Sequence, residues 1–264
     1  MTQLSLLASL EQNRGELVVR RSGRARRLSA RVYRDGRVEV VAPPRASERV
    51  LRQFIERHRD WIERRREIAL QNQPPAQPFP PAAIVLPAFG EQWRLHLAGG
   101  AGRVRITASD RAAGAVLTVR GQLGSEHHSA ASPGQSANPP GALRGALQAW
   151  LMRHCRARLE AELHAVAAQT GLVFRRMALR RQRTRWGSCS TRGTISLNVC
   201  LAFQSREVLH YLLIHELSHT LHMNHSAAFW GCVANHCPDW QRLDRELVAG
   251  WRAVPRWVFA GAVE

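Results

Sequence analysis

The first part of the chain alternates apolar and polar positions in short runs, a pattern typical of β-strands. Runs 17–20 and 28–33 predict strands, and the segment DGRVEVV combines a hairpin-turn signal with alternating valines. From Ser47 onward the apolar positions recur every three or four residues, which predicts one helix with a serine cap. Residues 1–70 are therefore predicted to form a β-rich region with a single helix.

Two segments without such periodicity divide the rest of the chain. Residues 71–83 are Pro-rich and predict a connector. Residues 121–141 are small, polar and rich in Pro and Gly, and they predict a flexible surface insertion. Between these segments, residues 84–120 contain strand-like runs.

The pattern in residues 142–264 changes to longer helical periods. An amphipathic helix is predicted to run to Thr170 and to end at Gly171. Two strand-like segments follow, and Ser205 then starts a helix that is apolar on most of its circumference and therefore buried. We expect an α+β protein whose C-terminal part packs this buried helix on a small antiparallel sheet.

The net charge of the chain indicates the kind of partner that it attracts. The formal net charge is +18, and all 38 basic residues are arginine. Biased codon usage explains a preference for arginine over lysine, but it does not explain the excess of base over acid. A pI near 11.6 favours an attraction to polyanions such as nucleotides or nucleic acid.

The location of the protein is predicted from three absences in the sequence. We find no secretory signal pattern and no apolar run long enough to span a membrane. The five cysteines form no paired framework, which is typical of a reducing compartment. The expectation is a cytoplasmic protein without membrane partners.

The strongest chemical signal is HELSH at residues 215–219, inside the buried helix. His215 and His219 are four residues apart, so they project side by side and can both reach one tetrahedral Zn²⁺ at about 2.0–2.1 Å. Glu216 lies about 100° round the helix, where a general base would take a proton from a water molecule. Buried ionisable groups need a partner, and a cation would supply one.

A catalytic zinc site needs a third protein ligand. His222 would stand about 10.5 Å along a straight helix from His215, which is too far to share an ion. His225 follows a turn that can fold it back under the metal, and it is the favoured candidate. Glu246 on the last helix is the alternative, and a third interpretation makes these histidines core-packing groups only.

Several motifs together resemble a known family. RRQRTRWGSCSTRGTISLN, followed by HELSH, NHSAAFW and HCPDW, resembles the YgjP-like metallopeptidases, relatives of the SprT-like zincins. VVRRSGRARRLSARVYRDGRVEVVAP and RHRDWI are similar to the same family, so the resemblance covers most of the chain outside the connector and the insertion. It implies a zincin-type C-terminal part, one zinc ion held by His215, His219 and His225, and a catalytic Glu216.

Residues before and after WGSCS are candidate substrate contacts. Two arginines could direct a guanidinium at a developing oxyanion or a phosphate, or they could be ordinary surface residues. A glycine here would allow a close backbone approach to the buried helix. TISLN is expected to be either an edge strand that aligns an extended peptide or an ordinary paired strand. The candidate substrate-binding residues are Arg183, Arg185, Trp186, Gly187, Ser188 and Asn198.

The functional hypotheses differ in substrate and in the role of the metal. The leading hypothesis is a zinc-dependent hydrolase, a metallopeptidase that acts on a peptide or protein. A metal-dependent nucleotide phosphohydrolase would use the same site on a phosphoanhydride. A nucleic-acid-associated binding protein with a structural zinc is the non-enzymatic alternative. The oligomeric state is left open.

Overall fold

The computed structural model describes residues 17–33, 36–71, 77–111, 114–122 and 141–259. The chain divides into two compact units, Met1–Gln73 and Pro74–Glu264. The division falls inside the Pro-rich segment 71–83. Most of the predicted insertion, residues 123–140, lies outside the described residues.

In its described residues, the first unit contains a three-stranded sheet and two helices. Strands β1 (Leu17–Arg21), β2 (Ser29–Val32) and β3 (Val38–Ala42) are ordered β1-β3-β2, with β1 parallel and β2 antiparallel to β3. Helices α1 (Glu48–Arg57) and α2 (Arg59–Gln71) follow. Their apolar core includes Val40, Ala42 and Leu51.

The prediction of a single helix in this unit was wrong, although its start was correct. Ser47 caps α1, and its hydroxyl accepts a hydrogen bond from the Val50 amide at 3.4 Å. The helix is interrupted at His58, whose backbone leaves the helical region at φ −105° and ψ 10°. Its ring Nδ1 lies 2.8 Å from the Phe54 carbonyl oxygen, so the side chain satisfies a carbonyl at the end of α1.

The second unit begins with a four-stranded sheet. Strands β4 (Ala83–Leu86), β5 (Glu91–Gly99), β6 (Arg105–Arg111) and β7 (Gly114–Arg120) are ordered β4-β5-β7-β6. One face of this sheet is apolar and shares a core with the long helix α3 (Ala142–Thr170). The predicted end of α3 is confirmed, because Gly171 adopts a left-handed conformation at φ 73° and its amide donates to the Ala167 carbonyl.

A second, smaller sheet follows α3. It contains β8 (Arg176–Arg180), β9 (Gly187–Cys189) and β10 (Thr194–Asn198) in the order β8-β10-β9. The prediction of an antiparallel sheet was wrong, because β10 is antiparallel to β9 but parallel to β8. Of the two alternatives for TISLN, the structure favours the ordinary paired strand over the edge strand, because that segment is the central strand β10 and the short β9 is the edge.

Three helices complete the second unit: α4 (Arg206–Ser218), α5 (Ala227–His236) and α6 (Trp240–Ala249). Ser205 caps α4, as predicted, by accepting a hydrogen bond from the Val208 amide at 3.2 Å. The burial predicted for α4 is confirmed, and its apolar residues belong to the same core as α3. None of the helices in the described ranges has the length and hydropathy needed to cross a membrane. The α+β class is therefore confirmed, with the buried helix α4 at the centre of the second unit.

Candidate metal centre

Three histidines converge beside the C-terminal end of α4. The Nε2 atoms of His215 and His225 lie 3.2 Å apart. The ligand-capable atoms of these two residues and His219 all lie within 4.8 Å of one another. Two nitrogens bound to one tetrahedral ion at about 2.05 Å would be about 3.3 Å apart. The spacing of the rings therefore suits a single small cation.

The chain reaches this arrangement by ending α4 before His219. The helix stops at Ser218, and amides that follow it bond back in tight turns, including Leu221 and His222 to the Ser218 carbonyl. Ser226 then caps α5 by accepting a hydrogen bond from the Phe229 amide at 3.4 Å. His225 is thus held between the end of one helix and the start of the next.

Hydrogen bonds at the Nδ1 atoms of His219 and His215 orient these two rings. His219 Nδ1 lies 3.0 Å from the His222 carbonyl oxygen, which fixes that nitrogen as the protonated donor and leaves Nε2 free to bind a metal. His215 Nδ1 lies 3.4 Å from the Tyr211 hydroxyl, which in turn donates to Asp244 Oδ1 at 2.9 Å. Tyr211 and Asp244 were not among the residues predicted for the site.

A tyrosine four residues before His215 shares its helix face, so the spacing could have indicated Tyr211. Asp244 lies on α6, and no local pattern places it near the site.

Aromatic side chains from α5 support the rings from one side. Phe229 is fully buried and stacks on His219, with ring centroids 4.4 Å apart and planes at 26°. Trp230 lies against His225 at 5.5 Å and stacks on Trp240 of α6 at 4.1 Å. These contacts fix the position of α5 relative to α4, and with it the position of His225.

Burial sets the charge state of the site. Desolvation lowers the pKa of His215 to about 3, with a further contribution from the neighbouring His219 and His225, so this ring is neutral at pH 7. Desolvation also raises the pKa of Glu216 to about 8. Within the described residues, Glu216 Oε2 is buried and has no hydrogen-bond partner. A neutral His215 imidazole and an unsatisfied carboxylate oxygen fit a divalent cation, which would also favour the ionised carboxylate.

Gly187 on the edge strand β9 makes room for the carboxylate. A Cβ atom at this position would contact Glu216 Oε1 and would lie 2.8 Å from the carboxyl carbon. The main chain of β9 therefore passes directly over the Glu216 side chain, an approach that only glycine allows.

The histidines and Glu216 open into a cleft of about 270 Å³. Its lining residues are Arg185, Gly187, Ser188, Cys189, His215, Glu216, His219, Met223 and His225. The buried Glu216 carboxyl group, the candidate ligands and the edge strand thus share one accessible space.

Comparison with known proteins identifies the family. The family model for the YgjP-like metallopeptidase domain matches residues 26–249. The chain belongs to the YgjP-like metallopeptidase family. Membership implies a divalent metal ion, typically zinc. No curated protein matches the chain.

Two solved metallopeptidase zymogens are similar to part of this YgjP-like chain. The zymogen of Pyrococcus abyssi abylysin is 24% identical with a TM-score of 0.32, and the match covers 34% of this chain and 91% of that chain. The zymogen of Methanocaldococcus jannaschii jannalysin is 18% identical with a TM-score of 0.31, and the match covers 34% of this chain and 93% of that chain.

Three of the six predicted substrate contacts line the cleft of this YgjP-like protein: Arg185, Gly187 and Ser188. The other three do not. The Arg183 guanidinium donates to the Phe259 carbonyl at 3.1 Å, and Trp186 is buried and stacks on Trp251 at 3.6 Å.

The placement of Asn198 also corrects its predicted role as a substrate contact. It is 1% exposed, and its amide nitrogen donates to the carbonyls of Gln182 and Arg185 at 2.7 and 2.6 Å. Asn198 therefore shapes the segment that carries Arg185 and does not face the cleft.

The alternative third ligand, Glu246, is placed elsewhere. Glu246 pairs with Arg242 at 2.7 Å and is not part of the histidine cluster. Cys232, His236 and Cys237 form no metal-binding group in the part of the chain that the structure describes. Cys189 lines the cleft, but burial raises its thiol pKa to about 11, so the thiol is protonated at pH 7. His225 remains the favoured third ligand.

We expect His225→Ala to lose bound metal. Removing one of three imidazoles should weaken zinc binding by more than the roughly 10–100-fold that follows loss of an outer hydrogen-bond partner. Metal content after dialysis, measured by mass spectrometry, tests this. His236→Ala removes another exposed histidine outside the cluster and should keep the wild-type content. Equal metal content in the two variants would exclude His225 as a ligand.

Gly187→Ala should displace the Glu216 carboxylate while the three histidines stay in place. We expect hydrolytic activity to fall by roughly 10²–10⁴-fold, the usual contribution of a positioned general base, with zinc content unchanged. Gly231→Ala on α5 is the matched control, because a Cβ there has no heavy atom within 4 Å. Full activity in Gly187→Ala would show that the close contact is not needed.

Proposed function

We propose that this YgjP-like protein is a zinc-dependent peptidase in which His215, His219 and His225 hold the ion and Glu216 is the general base. The observation that carries the proposal is the convergence of three imidazoles next to a buried carboxylate in one open cleft. A zinc ion bound there would polarise a substrate carbonyl and lower the pKa of a bound water. Family membership favours a peptide bond as the target.

In this proposal Glu216 transfers the proton. Its carboxylate accepts a proton from the attacking water and then gives it to the leaving nitrogen of the cleaved peptide. Burial supports this role, because a carboxyl group whose pKa is raised to about 8 holds a proton more readily than an exposed glutamate. The β9 main chain over Gly187 confines the side chain, so the carboxylate is held at the cleft wall.

The edge strand supplies the means to align an extended substrate. β9 pairs only with β10 among the described strands, so its outer edge keeps backbone groups available. β9 also lines the cleft through Gly187, Ser188 and Cys189. An extended peptide that pairs with this edge would run beside the candidate metal site.

Arg185 is the cationic residue of the cleft wall. It is exposed, and no hydrogen bond or ion pair involves its side chain in the described ranges. An unpaired guanidinium beside the candidate metal can stabilise the oxyanion that develops on the attacked carbonyl.

The same residue supports a second candidate function. A phosphoanhydride also develops negative charge on its oxygens, so Arg185 would suit nucleotide hydrolysis as well as peptide hydrolysis. We rank this function second because the family assignment favours peptides.

Glu216→Gln should keep zinc and lose turnover by roughly 10²–10⁴-fold, because an amide cannot accept the proton. Casein and nucleoside triphosphates assayed with one preparation identify which substrate is cleaved. Glu160→Gln, an exposed glutamate on α3, is the control and should keep full activity. Turnover that survives in Glu216→Gln would reject the mechanism. Turnover of triphosphates alone would replace the peptidase with a phosphohydrolase.

Arg185→Ala should lower kcat by up to about 10²–10³-fold, the range seen when one oxyanion donor is removed, with smaller effect on KM. Arg192→Ala removes an exposed arginine from the turn between β9 and β10, away from the cleft, and is the matched control. Steady-state kinetics on a fluorogenic peptide give the two constants. An increase in KM with unchanged kcat would assign Arg185 to substrate binding alone.

A further inference from the structure

The four-stranded sheet β4-β5-β7-β6 presents two chemically different faces. Side chains alternate along a strand, so Trp93 and Leu117 point into the core that contains α3, and Val119 is buried on the same side of the sheet. The positions between them form the outer face. The register aligns Arg105 with Arg120, Thr107 with Thr118, and Thr118 with His96.

This outer face carries no acidic residue in the described strands. Glu91 and Asp110 are the acids in these four strands, and alternation assigns both to the inner side. Glu91 is already paired there with His154 and Arg158, each at 2.6 Å. The outer face is therefore basic and rich in hydroxyl groups, with no carboxylate of its own to balance the charge.

Three arginines lie at one end of this face. Arg105 is directly opposite Arg120, so their Cβ atoms are about 4.5–5.5 Å apart, an arrangement that destabilises a sheet when both residues carry the same charge. Arg103 lines the same cavity of about 420 Å³, together with Thr107. In the described parts of the chain, no ion pair or hydrogen bond involves the side chains of these three arginines.

We propose that the outer face of this sheet binds the phosphate backbone of a duplex nucleic acid, with Arg103, Arg105 and Arg120 contacting phosphates. Guanidinium groups match phosphate oxygens in geometry and charge. A bound phosphate would also relieve the repulsion between the two facing arginines.

The extent and composition of the face favour a nucleic acid over a free phosphate ion. Polar side chains continue across the strands from the cavity through Thr107, whose hydroxyl donates to the Thr118 carbonyl, to Thr118 and His96, beyond what one phosphate would need. The described outer positions include no Phe, Tyr or Trp on which unpaired bases could stack, so the contacts would be to the backbone of a duplex and independent of sequence.

Fluorescence anisotropy with the full-length chain and two labelled duplexes of unrelated sequence tests the proposal. We expect equal affinities for the two duplexes and a steep salt dependence, since each phosphate contact contributes about 0.9 to the slope of log K against log salt. The triple variant R103Q/R105Q/R120Q should lower the slope by about 2–3 and the affinity by at least about tenfold. Casein hydrolysis should not change.

The matched control removes the same charge from helices. R153Q/R156Q/R245Q replaces three exposed arginines of α3 and α6 and should keep nearly the wild-type slope. Arg103 precedes β6, so Arg103→Gln alone leaves the strand pairing intact and should lower the slope by about one, even if the triple variant folds poorly.

Four results would overturn the proposal. Equal losses of duplex affinity and of salt slope in the two triple variants would show diffuse attraction to the whole basic surface. Unchanged binding in R103Q/R105Q/R120Q would place the interaction elsewhere, for example on the arginine-rich first unit. Displacement of the duplex by inorganic phosphate or polyglutamate, at the same concentration of negative charge as the duplex, would show a general anion site. Tighter binding to anionic phospholipid vesicles than to duplexes would identify a membrane surface.

Discussion

A buried carboxylate and three imidazoles share one small space at the end of α4, and the surrounding elements are arranged to keep them there. Glu216 is 4% exposed and one of its oxygens has no partner in the described residues, a cost of burial that a nearby cation would offset. Each neighbouring element restricts one group. β9 confines Glu216 through Gly187, α5 stacks Phe229 on His219, and α6 orients His215 through Asp244 and Tyr211.

Features that depend on local spacing could be predicted from the sequence. The caps of α1 and α4, the end of α3 and the burial of α4 follow from residue types within a few positions of each other. The grouping of His215, His219 and His225 was also predicted, because two of them share a helix face and the third follows a turn. The peptide specificity does not follow from this geometry, since a phosphoanhydride could occupy the same cleft.

Features that depend on distant partners could not be predicted. TISLN reads as a strand in isolation, but only its pairing with β8 on one side and β9 on the other makes it central. Asn198 is polar and close to the motif, yet its amide is used by two backbone carbonyls and not by a substrate. Asp244 reaches the site from a helix that follows His215 by nearly 30 positions, and the break at His58 depends on a side chain that bonds its own helix.

The three candidate ligands differ in how firmly the chain itself fixes them. His215 lies in α4, His219 directly follows its last residue, and each has a hydrogen bond at Nδ1, whereas His225 is exposed and lies in the turn between α4 and α5. The ring of His225 is positioned by Trp230 and Phe229, which belong to α5. An ion bound by all three would therefore join α4 to α5, and its binding free energy would stabilise the turn between them as well as the site. The metal would then have a structural role in addition to its chemical one, because it would fix the turn that carries Met223 along the cleft.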